Sequence, residues 1–331
     1  MRILKPKAYI DTCAGIAKNF LSGGQAVFPF YASLKLTAKC HFGCPFCNMH
    51  KHAEKDDLPT DKIIKILDNL SASPVLMTSF EGGEPLLRQD IGELLEYARK
   101  KCNFYLLFTS SAKNILDYPM QKYCENIDFL HISIDEGHNN LEMFDMLNEF
   151  NRFKSELSVQ VVVTQDSLES LEDKIRKCFA AKANCVVIPA AEMDGAKKKS
   201  FPDIDTFELR IRELKKKYPA TIHTPLGYFY AYKKAKCSSA SVIIAPDGNL
   251  FYPCNIIGDY GCNLTEADMT AWLVSKQAQS ARQKMSSCEI NCGWYQYYSI
   301  DSYLSLSTIA EALSPALNKI FFPRIFPTAA A

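Results

Sequence analysis

From residue 32 onward the chain alternates between two periods. β-rich runs appear at "ASLKLTAK", "VLMTSF", "FYLLFTSS", "FLHISID", "SVQVVVT" and "NCVVIPA". Between them, apolar residues recur every three or four positions, as in "DKIIKILDNL", "DIGELLEYARKK", "NNLEMFDMLNEFNRF" and "SLESLEDKIRKCFAA". Thr60 is placed to cap the first of these helices, and "DIDTFELRIRELKKKY" supplies a sixth after the last strand. Six β/α units of this kind predict an α/β protein whose apolar strands form a parallel sheet buried on both faces. An open doubly wound sheet and an incomplete barrel satisfy the pattern equally.

The pattern changes near Tyr228. "SVIIAPDGNLFYPC" predicts a hairpin turning at Asp247 and Gly248, and "TEADMTAWLVSKQAQSARQKM" one long amphipathic helix. At the other end, Ile3, Ile10, Ala14, Ala17 and Leu21 fall near helical spacing among Arg2, Lys5, Lys7 and Lys18. The expected division is an amphipathic extension at 1–30, a core barrel at 31–227, a small α+β cysteine-ligated domain at 228–300 and an apolar helical tail at 301–331. Both terminal segments are expected to pack on the open ends of the barrel, with docking at a membrane surface as the alternative.

Composition narrows the function classes. Hydrophobic residues make up 47% of the 331 and charged residues 23%, as in ordinary globular proteins. A net charge of +1 gives no reason to expect nucleic acid, and the lysine runs at 197–199 and 215–217 read as solvated faces. The N-terminal stretch lacks the continuous apolar core of a secretory signal, and no apolar run reaches membrane-spanning length. Thirteen cysteines without a signal point to metal ligation in a reducing cytoplasm rather than to disulfides. Those at 13, 102, 124, 178, 185 and 262 fall mostly in helical or strand patterns and are expected to be buried.

Cys40, Cys44 and Cys47 lie within eight residues, "CHFGCPFC", just after the first strand. Ligand sites of α/β sheets lie at that end of a strand, and three thiolates on an iron–sulfur cube leave one iron open. The segment "LTAKCHFGCPFC" resembles the cluster loop of the radical S-adenosylmethionine (SAM) superfamily, including Phe46 beside the last cysteine. "EGGEP" at 81–85 is similar to that family's Gly-Gly-Glu-Pro segment, and "SID" at 133–135 to its ribose-side motif. "TSS" at 109–111 departs from the family's usual turn, and "VVIPAAE" matches an adenine edge only loosely. The resemblance implies a partial (β/α)6 TIM-like barrel and a [4Fe-4S] cluster on Cys40, Cys44 and Cys47 that chelates SAM through the open iron. It further implies SAM contacts from Phe46, Gly82, Gly83, Glu84, Ser133 and Asp135, and a flavodoxin or ferredoxin as reductant. Read without it, three thiolates with His50 or His52 could close a zinc site.

Cys237, Cys254, Cys288 and Cys292 form a second set, which the hairpin and the following helix would gather. "IAPDGNLFYPC" resembles the twitch extension, a shortened SPASM domain, and implies an auxiliary [4Fe-4S] cluster. Five residues rather than four separate Gly248 from Cys254, so Cys262 is a substitute ligand, and a four-thiolate zinc staple is the bland reading. His131 and "WYQYY" at 294–298 are assigned to core or cap, with lining of the substrate cavity as the alternative, and neither is given a catalytic role. The expected enzyme removes hydrogen from a peptide, a sugar or cyclitol, or a cofactor precursor, with a membrane lipid precursor as alternative. A zinc-stabilised binding module and an iron–sulfur electron-transfer protein are the rivals from other classes.

Overall fold

The computed structural model describes residues 5–22, 27–52, 56–191, 200–233, 237, 240–257, 260–290 and 292–302. The tail from 303, the lysines at 197–199, and Ile3 and Glu192 lie outside the described residues. Helix α1 (Pro6–Leu21) leads into strand β1 (Tyr31–Lys35). Then come α2 (Thr60–Ser71), β2 (Met77–Glu81), α3 (Ile91–Lys101), β3 (Tyr105–Ser110), the short α4 (Met120–Tyr123) and β4 (Phe129–Ser133). The series closes with α5 (Leu147–Phe150), β5 (Glu156–Val163), α6 (Leu171–Ala180), β6 (Asn184–Pro189) and α7 (Ile204–Lys217).

The strands form one sheet in the order β6-β5-β4-β3-β2-β1, with all five neighbouring pairs parallel. The sheet does not close on itself among the described residues, so the architecture is an open, partial barrel. After α8 (Gly227–Lys233), β7 (Ser241–Ile244) adds parallel to β1, and β8 (Asn249–Phe251) and β9 (Tyr260–Asn263) follow antiparallel. The C-terminal hairpin therefore continues the barrel sheet beyond β1. Its turn forms where the sequence places it, with the Gly248 amide donating to the Ala245 carbonyl at 2.9 Å and Gly248 at φ +83°. The chain continues through α9 (Met269–Leu273), α10 (Lys276–Ser286) and α11 (Tyr295–Ser302).

The strands are mainly apolar on the face turned to the helices, whereas the inner face mixes polar residues with apolar ones such as Leu107, Val162 and Val186. In β5, Leu157, Val159, Val161 and Val163 are buried towards the helices, while Glu156, Ser158 and Gln160 line an interior cavity. The same alternation sets Leu34 against Ser33 and Lys35, and Phe80 against Ser79 and Glu81. Ile63, Ile66, Leu67 and Leu70 of α2 and Ile91, Leu94 and Leu95 of α3 cover the apolar face and form the main core. Each such side chain contributes roughly 1.5–3 kcal/mol by leaving water.

Three helices differ from the sequence pattern. Pro59, not Thr60, holds the N-cap position of α2, and the Thr60 hydroxyl donates instead to Asp90 at 2.7 Å. The run 139–153 is a 3-10 turn, Leu141–Met146, followed by the short α5. The long helix expected at 265–285 is broken, because Ser275 turns extended and its hydroxyl caps the Ala278 amide at 3.2 Å.

Helix α1 seats on the barrel by a face other than the apolar one. Ala8, Thr12, Gly15 and Asn19 are buried, while Ile10, Ala14, Ala17, Phe20 and Leu21 are exposed. The reason is local. Thr12 donates to the Pro74 carbonyl at 2.9 Å, Asn19 exchanges two hydrogen bonds with the Phe28 backbone, and a Cβ on Gly15 would meet Pro74 at 2.7 Å. Only small and hydrogen-bonding residues fit so close an approach. Of the cysteines expected in the core, Cys102, Cys124, Cys178 and Cys185 are buried, Cys262 is half-buried and Cys13 is exposed.

Candidate active site

The inner faces of the strands enclose a cavity of about 950 Å³. That is at the upper end of the usual range for ligand pockets, ~300–1,000 Å³, so it has room for more than one small molecule. Cys40, Cys44 and Cys47 stand at its mouth, in the loop after β1. The Cys47 amide donates to the Cys44 carbonyl at 3.0 Å, a turn that sets the two thiols on one side. Burial pushes the Cys40 thiol up to about 11 and raises Cys47 as well, so thiolates here need the compensating charge of a metal centre. This donor set suits a cluster with one open iron.

The loop is held by the segment after β2. The Gly83 amide donates to the Thr37 carbonyl at 2.7 Å and the Glu84 amide to the Lys39 carbonyl at 2.8 Å. Gly82 has φ +147°, and a Cβ there would come within 2.5 Å of the Thr37 oxygen; one on Gly83 would come within 2.0 Å of the Lys39 oxygen. The glycines are thus required by the approach of two stretches of this chain, and both also face the cavity.

The structure separates the remaining expected contacts. Phe46 and Ser133 line the cavity, and the Gln160 amide donates to the Ser133 hydroxyl at 3.3 Å. Glu84 and Asp135 are buried behind its wall. The Glu84 carboxylate accepts from the Ser111 amide at 3.0 Å, the Ser110 hydroxyl at 3.0 Å and the Leu86 amide at 3.2 Å. Burial raises its pKa against those hydrogen bonds. Asp135 accepts from the Val162 amide at 3.0 Å and meets His138 Nδ1 at 2.8 Å, so both carboxylates brace the loops.

His138 is the cavity residue held by that brace, packed edge-on to Phe42 and Phe46 with ring centroids 6.0 and 5.7 Å away. Burial opposes its charge, but hydrogen bonds with Asp135 and Cys44 outweigh this and raise its pKa to about 10. A Cβ on Gly137 would overlap the Phe46 ring at 2.2 Å, so glycine there makes room for that ring. His50 also lines the cavity, with its Nδ1 buried and without a hydrogen-bond partner, whereas His52 is exposed.

Below the mouth lies a polar belt, of which the sequence offered only His131 and the 294–298 run as cavity lining. Lys35 pairs with Glu81 at 3.2 Å, both largely shielded from solvent. Gln296, brought in by α11, donates to Glu81 at 3.4 Å and to the Tyr31 hydroxyl at 3.5 Å. His131 and His223 complete the belt. Burial lowers the His131 pKa to about 4 despite the nearby Glu81, and His223 lowers it further, so the ring is neutral near pH 7. Trp294 and Tyr295 also reach the cavity, while Tyr297 and Tyr298 are buried in the core. The available signal was the polar residue at every second strand position.

The second cysteine set also comes together. Cys254 lies within electrostatic range of Cys292 and Cys288, and Tyr297 within range of Cys254, Cys237 and Cys292. Cys262 instead neighbours Asp268. Burial pushes Cys254 up to about 11, again calling for positive charge. The Trp294 amide donates to Cys292 Sγ at 3.4 Å, which ties this set to the cavity wall. Among the described residues, no three His, Cys, Asp or Glu side chains converge on the position of a single metal ion.

Residues 34–189 match the family model of the radical SAM superfamily. Among solved structures, the chain is similar to Streptococcus suis SuiB bound to its precursor peptide SuiA, with TM-score 0.64 and 17% identity over 92% of this chain and 77% of that one. It is likewise similar to anSMEcpe with bound AdoMet and a peptide, with TM-score 0.62 and 15% identity over 88% and 98% of the two chains. At these identities the likeness shows the fold.

Proposed function

We propose, for a chain that carries a radical SAM domain at residues 34–189, that Cys40, Cys44 and Cys47 hold the SAM-binding cluster and that the lumen below it binds the hydrogen donor. The protein is an enzyme whose cofactors are a [4Fe-4S] cluster and SAM. When bound, these supply a one-electron cleavage of SAM to methionine and a 5′-deoxyadenosyl radical able to take hydrogen from an unactivated carbon. The chain supplies position and exclusion of water. Gly82 and Gly83 offer backbone at the mouth, Phe46 and His138 wall the loop, and Ser133 with Gln160 offers hydrogen bonds to hydroxyl groups. Glu84 and Asp135 act one step back, by fixing the loops that carry those contacts.

One observation carries the reading: the three cysteines of one eight-residue loop, the double-glycine edge and Ser133 all face one cavity at the carboxyl ends of β1, β2 and β4. Cys237, Cys254, Cys288 and Cys292 are assigned to an auxiliary cluster, in a region spanning about 228–300, that exchanges electrons with the lumen. A flavodoxin or ferredoxin is the expected electron donor. Since both compared proteins are described with bound peptides, a peptide is one substrate class to try; sugars, cofactor precursors and lipid precursors are others.

The test is anaerobic reconstitution followed by dithionite-driven assay of 5′-deoxyadenosine. Alanine at Cys40, Cys44 and Cys47 together should abolish its formation. Product that persists in this variant, or zinc in place of iron and sulfide, would overturn the reading.

A further inference from the structure

The lumen is divided by chemistry along its length. Beneath the cysteine loop, the Lys35–Glu81 pair, Gln296, Tyr31 and the neutral His131 make a belt of donors and acceptors whose formal charges cancel. Beyond the belt, towards the amino ends of the strands, the wall is mostly apolar. Phe30 before β1, Leu76 before β2, Met77 at its start, Leu107 of β3 and Phe129 at the start of β4 all line the same cavity, which reaches Ile16 on α1. The polar exceptions there include Ser79, Thr12 and Glu156, and Glu156 accepts a hydrogen bond from the Asn184 side-chain amide at 3.2 Å. A belt with balanced charge suits an uncharged head that both donates and accepts hydrogen bonds. An apolar passage behind it suits a hydrocarbon chain.

We propose that the substrate site takes a single-chain amphiphile, its hydroxyl-bearing head in the belt facing the cluster loop and its hydrocarbon chain in the apolar lower lumen. This deepens, and rests on, the assignment of the lumen as the substrate site. Helix α1 adds an independent observation where the passage ends. Its inner side carries Ile16 on the cavity wall, and its outer side exposes Ile10, Ala14, Ala17, Phe20 and Leu21 because the seat on Pro74 and Phe28 uses only small and polar residues. An apolar outer face on the helix where the apolar passage ends fits delivery of such a molecule from a lipid phase.

The test uses the full-length protein and the fluorescence of 1-cis-parinaroylglycerol, a monoglyceride with an uncharged hydroxyl-bearing head and a conjugated chain, with 1-monooleoylglycerol as competitor. Saturable binding displaced by the competitor is expected. Met77→Trp, which fills the lower lumen, should weaken binding about tenfold, the loss expected when about two methylene contacts go. Ile10→Glu, on the outer face of α1, should leave solution binding unchanged, which excludes adsorption to that face. Thermal melts confirm that both variants are folded, and Leu107→Trp serves if Met77→Trp is not. Absence of saturable binding, or binding lost in Ile10→Glu and kept in the lumen variants, overturns the proposal. Because binding needs no SAM cleavage, deoxyadenosine formation without amphiphile binding sinks this inference alone. Amphiphile binding without SAM cleavage sinks the enzymatic reading instead.

Discussion

At Gly83 an added Cβ would stand 2.0 Å from the Lys39 carbonyl oxygen, a backbone atom that cannot move without moving the cluster loop. Gly83→Ala is therefore expected to lower iron content and SAM cleavage together, read by iron analysis and deoxyadenosine yield, although no ligand is altered. A stably folded variant with full iron loading would refute this account of the loop. His131 makes a different prediction. Its pKa falls from an ordinary 6.5 to about 4 on burial, so between these values the unfolded chain binds a proton that the folded one does not. Stability is then lost as pH falls through that window, by about 2 kcal/mol at pH 5 from this group alone. His131→Phe should flatten that part of the stability profile in urea melts at pH 7 and pH 5. An unchanged slope would mean that the ring is already solvated. The cysteine loop was legible from spacing, and the double glycine from its resemblance to the family's Gly-Gly-Glu-Pro segment. The withdrawal of Glu84 and Asp135 behind the wall was not, since each carboxylate also takes partners far away in the sequence, Ser110 and Ser111 for Glu84 and Val162 for Asp135.

Among the elements, α2 and α3 are joined by a polar brace that no periodicity reveals. Arg88 donates to Asp90 through two nitrogens at 2.9 and 2.7 Å, and also to the Leu36 and Leu58 carbonyls at 3.0 Å. Thr60 at the start of α2 donates to the same carboxylate. Burial works against the Asp90 charge, but hydrogen bonds from Arg88 and Thr60 outweigh it and lower its pKa. The contribution is present above the ordinary carboxylate range and is lost as pH falls through the lowered value. Asp90→Ala leaves a nearly inaccessible guanidinium without its counter-charge, a loss of about 2–3 kcal/mol after allowing for the part-exposed carboxylate. A lower urea midpoint at constant slope would show it; an unchanged midpoint would remove the brace from the account. The six strands and helices α2, α3, α6 and α7 followed from apolar spacing; the order of the strands in the sheet did not. The breaks at 141–150 and 274–275 did not, because amphipathic periodicity runs through a 3-10 turn and a mid-segment serine cap without interruption.

For the whole molecule, the two cysteine sets should separate in solution. Alanine at Cys237, Cys254, Cys288 and Cys292 is expected to remove about four of about eight irons and to leave SAM cleavage in place. Iron content unchanged by that variant would disprove the auxiliary cluster. By itself the sequence determined the α/β class, the order of the six β/α units along the chain, the hairpin at Asp247–Gly248 and the clustering of Cys40, Cys44 and Cys47, because local periodicity, turn chemistry and short spacings are properties of neighbouring residues. Tertiary structure alone decided that the sheet stays open, that the hairpin continues it beside β1, and that α1 seats by its small residues. It also decided that Lys35, Glu81, His131, His223 and Gln296 share one lumen. Those outcomes depend on curvature and on contacts between residues up to 265 positions apart, as for Tyr31 and Gln296, which no local pattern encodes.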